Sequence, residues 1–141
     1  EKDYRRRVSA IFLPYHDQIR QIIEARCDRN LETTLISIHS FTPIMDNYER
    51  PWHIGVLSAE DKRLANPIIG YLKNKTDYTI GENQPYEIDS KDYTIPEHAI
   101  KRSLLNVLIE IRQDLIDTIE SQELWSKIIS DALSTAKKLV L

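Results

Sequence analysis

Leu35-Ile36-Ser37-Ile38-His39 and Val107-Leu108-Ile109-Glu110-Ile111 decide the reading of this chain. Both are short runs rich in β-branched residues, the pattern of strands buried in a sheet. Each also carries one ionisable residue. A lone imidazole or carboxylate in such a place is costly unless something holds it. A histidine and a glutamate delivered by two core strands suit a metal-assisted hydrolytic centre.

Working outward, Val8 to Leu13 is apolar and meets Pro14, a residue that fits the first turn of a helix. From Tyr15, the apolar Ile19, Ile22 and Ile23 with Cys27 recur at helical spacing, predicting a helix ending near Asp28, with Cys27 read as a packing residue. Residues 41–52 hold Pro43, Asp46, Asn47 and Pro51 and read as a long loop, of the kind that carries function. Ile54 to Leu57 reads as a second strand, and Ser58 as the cap of a helix from about Ala59 to Lys73. A third strand is expected at 77–80, then the turn Gly81-Glu82-Asn83-Gln84-Pro85, a polar loop, and a short helix from Pro96 to Arg102. Glu110 lies in the fourth strand, and Ser121 to Val140 forms a long helix with Leu124, Ile128, Ile129, Ala132, Leu133 and Ala136 as its apolar stripe. Helix and strand alternate, which predicts a three-layer α/β fold with a mostly parallel or mixed sheet flanked by helices, in a single domain over residues 1–141. In such sheets ligands gather at the carboxyl ends of strands, where His39 lies.

The 141 residues carry a net charge of −3 and are 41% hydrophobic, which argues against a membrane span and against broad nucleic-acid binding. Arg5-Arg6-Arg7 is the one basic run, and nothing basic or aromatic extends it. A single cysteine rules out an internal disulfide and fits a reducing cytoplasm. Three glycines leave no phosphate-binding loop, and no GxSxG elbow is present. The chain opens Glu1-Lys2-Asp3-Tyr4 and its one methionine is Met45, which reads as a piece of a longer protein.

For His39 two readings stand: a buried histidine bonded to backbone, or a metal ligand, with no local HxxE, HxxxH or HxH partner. Glu110 shares a strand face with Leu108 and Arg112, so it is either paired structurally with Arg112 or a general base of raised pKa. Arg50 and Arg102, in polar segments, are either surface charge or clamps for a carboxylate or oxyanion. His16, His53 and His98 are too widely spaced for a local metal motif.

The run Ile38-His39-Ser40-Phe41-Thr42-Pro43-Ile44-Met45-Asp46, continued by Arg50-Pro51-Trp52-His53-Ile54-Gly55-Val56-Leu57, resembles the N-formylglutamate amidohydrolase family. So do Asp61-Lys62-Arg63-Leu64-Ala65, Gly81-Glu82-Asn83-Gln84-Pro85-Tyr86, Asp92-Tyr93-Thr94-Ile95-Pro96 and Ile109-Glu110-Ile111-Arg112-Gln113-Asp114-Leu115-Ile116, in order over residues 11–125. The resemblance implies a zinc-carboxypeptidase-like, phosphorylase/hydrolase-like fold, of which this chain is the C-terminal part. It also implies hydrolysis of an N-acyl amino acid, most of all N-formyl-L-glutamate to L-glutamate and formate, a reaction of histidine degradation. By that analogy His39 is a ligand of one zinc ion, Glu110 is the general base, and Arg50 and Arg102 are substrate anion clamps. The other metal ligands are expected upstream of Glu1. Two departures bear on loop geometry: Asn47 and Ser103 stand where the family has glycine, and of the two Asn tolerates positive φ better. The alternative is a catalytically inactive relative that binds a small acidic metabolite or a protein partner.

Overall fold

The computed structural model describes residues 1–89 and 92–140, so residues 90–91 of the expected polar loop lie outside it. Its elements are α1 (Lys2–Arg7), α2 (Leu13–Cys27), β1 (Thr34–Phe41), β2 (Ile44–Met45), β3 (Tyr48–Glu49), β4 (Ile54–Leu57), α3 (Ala65–Lys75), β5 (Ile80–Glu82), α4 (Thr94–His98), β6 (Leu105–Arg112) and α5 (Ile119–Val140).

Four strands form one mixed sheet in the order β1-β6-β4-β5. β1 runs parallel to β6 and β5 parallel to β4, whereas β4 and β6 are antiparallel. The expected α/β architecture is therefore present in its mixed form. β6 is central and buried along nearly its whole length; β1 is an edge. On one face Ile54, Val56, Val107 and Ile109 pack with Ile68 and Leu72 of α3 and with Trp125, Ile129 and Ala132 of α5. On the other face a smaller cluster of Leu57, Leu108 and Ile95 meets α4. Period-2 alternation along β6 thus sends Val107, Ile109 and Ile111 to one layer, and Leu108 and Glu110 to the other.

Several boundaries differ from the sequence reading, each for a local reason. The first helix begins at Lys2: a π-helical turn at Val8–Phe12 joins α1 to α2 just ahead of Pro14, whose missing N–H and ring disfavour a regular α-turn there. Cys27 is exposed rather than packed. The expected loop 41–52 contains the hairpin β2–β3, whose turn residues Asp46 and Asn47 have φ of 51° and 60°, the signs of a type I′ turn. Ser58 does not cap a helix. Its buried N–H donates to Asn83 Oδ1 at 2.9 Å, and α3 starts only at Ala65. β5 is displaced to Ile80–Glu82 because Thr79 is already engaged by His53, through its N–H to Nδ1 and its carbonyl to the His53 N–H, both at 2.9 Å. The last helix is capped reciprocally, Ser121 N–H donating to Thr118 Oγ1 and Thr118 N–H to Ser121 Oγ. Its buried stripe uses Trp125 in place of Leu124, which is exposed.

Among the described residues no helix is long and apolar enough to cross a membrane.

Candidate active site

The parallel register of β1 and β6 pairs His39 directly with Glu110. Their side chains leave the sheet on the same face, and His39 Nδ1 lies 3.8 Å from Glu110 Oε1. The two differ sharply in setting. The Glu110 side chain is 7% exposed and that of His39 55% exposed, so the imidazole is not the buried group that an apolar strand predicts. Its Nε2 is held 3.0 Å from Ser37 Oγ, two residues back on the same strand face. Glu110 Oε2 is buried without a hydrogen-bond partner. Burial pushes the Glu110 carboxyl above the usual range; His39 and Arg50 oppose that shift and Asp92 adds to it. Arg112 does not pair with Glu110. It donates from Nε to Asp114 at 2.8 Å, which removes the structural-pair reading.

On its other side β6 pairs with β4, and Gly55 stands opposite Glu110. A Cβ at Gly55 would lie 2.0 Å from the carbonyl oxygen of Gln84, so the backbone of the Gly81-Glu82-Asn83-Gln84-Pro85 turn occupies the place of a side chain beside Glu110. Asn83 holds this turn with φ of 49°, donating its N–H to the Val56 carbonyl at 3.1 Å while its side chain accepts from Ser58. The turn delivers Tyr86 to Arg50.

Arg50 follows the β2–β3 hairpin and is 7% exposed. Its N–H donates to the Pro43 carbonyl at 2.8 Å, closing the hairpin base. Its guanidinium donates to the Thr42 carbonyl at 3.3 Å, to Tyr86 Oη at 3.0 Å and to Met45 Sδ at 2.8 Å, and lies over the rings of Tyr86 and Phe41. All of these partners are neutral. A buried guanidinium flanked by aromatic faces, with no carboxylate among its described hydrogen-bond partners, retains capacity for an incoming anion. Arg102 lies elsewhere: it precedes β6, at the opposite end of the strand from Glu110, donating to the Glu97 carbonyl at 2.8 Å and lying 4.0 Å from Glu24. Ser103, beside it, does adopt the left-handed conformation, with φ of 54°.

The structure therefore brings together His39, Glu110 and Arg50 and leaves Arg102 apart. Tyr86 and Ser37 were not singled out by the sequence reading; Tyr86 stood inside a quoted block, but only the fold shows its hydroxyl against Arg50. A catalytic zinc takes three protein ligands. Among the described residues no group of three His, Cys, Asp or Glu side chains is placed to hold a metal. His39 with Glu110 is thus short of a metal centre by itself.

A buried carboxylate of raised pKa, an imidazole beside it and a sequestered cation thus gather near the carboxyl end of the parallel β1–β6 pair. The sequence model of the N-formylglutamate amidohydrolase family matches residues 1–117, and the chain belongs to that family. The gene product Atu2144 from Agrobacterium tumefaciens superposes with a TM-score of 0.90 at 32% identity, over 98% of this chain and 55% of that one. The N-formylglutamate amidohydrolase from Ralstonia eutropha JMP134 shares the fold with a TM-score of 0.66 at 17% identity, over 96% of this chain and 55% of that one. The chain thus spans about half the length of these structural relatives. No curated protein matches it.

Proposed function

We propose that this chain supplies part of the active site of an amidohydrolase that cleaves the amide bond of an N-acyl amino acid, N-formyl-L-glutamate foremost. The observation that carries the proposal is Glu110: a carboxylate in the central strand, buried, with one oxygen unpartnered and the other facing His39. Desolvation brings such a carboxyl closer to the pH at which it can both take and return a proton. Glu110 accepts a proton as water adds to the acyl carbonyl. It returns the proton to the nitrogen as the C–N bond breaks, leaving a free amino acid and a carboxylate. Arg50 anchors a substrate carboxylate, with Tyr86 and Phe41 fixing its plane. Arg102 makes its contacts at the far end of β6, so the anion-binding role rests on Arg50.

One zinc ion belongs to the same proposal, with His39 as one ligand and the others from outside this chain; when bound, such an ion lowers the pKa of water and polarises the acyl oxygen. The binding-only alternative draws support from the incomplete ligand set among the described residues. The deciding experiment is formate release from N-formyl-L-glutamate with added zinc. It is run on this chain alone and with the part of the Agrobacterium protein outside the match. Turnover in either case, lowered about 10²- to 10⁴-fold in Glu110→Gln, is the expected result. No turnover in either, or an unimpaired Glu110→Gln, would overturn the assignment.

A further inference from the structure

Of the 15 residues of α2 only His16 and Ile23 are buried, and α1 buries none. The N-terminal helices are therefore held to the body at few points, and one of those points is polar. His16 Nδ1 lies 2.9 Å from His98 Nε2 on α4, the two rings stacked at 17° with centroids 5.1 Å apart. The rings of Phe12, Tyr15 and Tyr93 close around His16. Both histidines are buried, and His98 Nδ1 has no hydrogen-bond partner among the described residues. The charged groups facing the pair are Arg20 on α2, Glu97 on α4 and Arg102 on the turn after α4. Glu97 is itself paired with Lys101, and the two arginines oppose a further positive charge.

One hydrogen is shared in this contact, and its placement decides what happens when a further proton arrives. With His98 Nε2 donating to His16 Nδ1, His98 Nδ1 is a bare lone pair. With the reverse polarity it is a buried N–H that nothing receives, an arrangement folded chains avoid more strictly than an unmet acceptor. The positive charge of Arg102 also favours a lone pair on His98 over an N–H. The neutral pair therefore carries its shared hydrogen on His98 Nε2. A further proton that leaves the contact intact must then sit on His98 Nδ1, a charged N–H in a place with no acceptor. A proton on His16 Nδ1 instead turns two N–H groups toward each other. We infer that the His16–His98 contact is an acid-operated latch, whose uptake of one proton frees α1 and α2 from α4 while the sheet stays folded. Tyr93, packed on His16, is let go with it. The residue before it is Asp92, whose charge acts on Glu110, so the latch borders the candidate active site.

Amide exchange of the whole chain tests this without reference to turnover or metal, so it stands or falls separately from the hydrolytic proposal. Rates are compared at about pH 7.5 and about pH 5, corrected for the intrinsic pH dependence of exchange. Protection of residues 13–27 is expected to fall at least about ten-fold at the lower pH, while β6 and α5 keep theirs. The asymmetry of the pair sets the controls. In His98→Gln the side-chain amide can turn its oxygen or its nitrogen toward His16, so a proton on His16 is accommodated. The fall should then shrink to less than about two-fold. In His16→Gln the unpartnered His98 Nδ1 remains, and the fall should persist. Protection of β6 establishes that each variant folds. Proton–nitrogen NMR correlations of the unsubstituted chain at about pH 7.5 should show the His98 hydrogen on Nε2, a reading that needs no variant. Full protection of α2 at the lower pH, or loss spread equally over β6 and α5, would overturn the inference. So would an acid-sensitive His98→Gln, an insensitive His16→Gln, or a hydrogen on His98 Nδ1.

Discussion

β1 and β6 look alike as sequence and lie side by side for eight residue pairs, yet they live in different surroundings. β6 has a neighbour on each side and a helix layer on each face; its glutamate is sealed and its apolar residues are core. β1 has one neighbour among the described strands, and its Ile38 and His39 meet solvent. An apolar strand states what it needs, namely burial, and not whether the same chain supplies it. The contrast also sorts the chemistry. The proposed proton-transfer group belongs to the strand whose environment is complete, and the proposed ligand to the strand whose environment is open.

The comparison can be broken most forcefully in the core. Ile109→Ala, at the centre of β6, is expected to lower stability by about 2–5 kcal/mol, while Ile38→Ala on β1 stays within about 0.5 kcal/mol, both read by urea unfolding. Equal losses would mean that the β1 edge is already buried in solution. A smaller effect is expected from the glycine opposite Glu110. Gly55→Ala forces the Gln84 carbonyl away and should cost about 1–3 kcal/mol. Gly70→Ala in α3, where a Cβ meets nothing, should be neutral or gain up to about 1 kcal/mol from helix propensity.

The smallest effect is a pH slope. Burial raises the folded-state pKa of Glu110, so the folded protein holds the proton more tightly than the unfolded one. Its contribution to stability therefore falls as pH rises above the ordinary carboxylate range, and Glu110→Gln should remove that fall. The buried pair His16 Nδ1 and His98 Nε2, 2.9 Å apart between α2 and α4, gives the opposite sign. Burial lowers both pKa values from 6.5, so stability is fully present above that pH and declines below it. His98→Gln should flatten the acid side while leaving the Glu110 slope in place. Chemical unfolding from pH 4 to 8 separates the two.

Much of the layer architecture was legible because burial leaves a period in the sequence. β4, β6 and α5 appear close to where their apolar patterns put them, and Glu110 lies inside the strand its run predicted. Strand order was not legible: nothing in Leu35 to His39 says that this strand is an edge, and the exposed His39 follows from that. Other misses come from side chains competing for backbone groups. Asn83 takes the Ser58 N–H, and α3 starts late; His53 takes Thr79, and β5 shifts. The hairpin inside the supposed loop rests on Asp46 and Asn47 accepting positive φ, a property of those two side chains rather than of any hydrophobic pattern. Of the site, His39, Glu110 and Arg50 converge, whereas Arg102 sits where its position before β6 places it, at the other end of the strand. The meeting of His16 and His98 across 82 residues had no local signal at all.

The central claim of the proposed function is that His39 is one ligand of a zinc ion whose other ligands come from outside this chain. Calorimetric zinc titration tests it most directly, on this chain alone, on the chain with the remaining segment of the Agrobacterium protein, and on the same mixture carrying His39→Ala. Tight one-to-one binding that appears only in the mixture and vanishes with His39→Ala is the expected result. Zinc binding that is indifferent to His39, or equally tight without the added segment, would contradict the account.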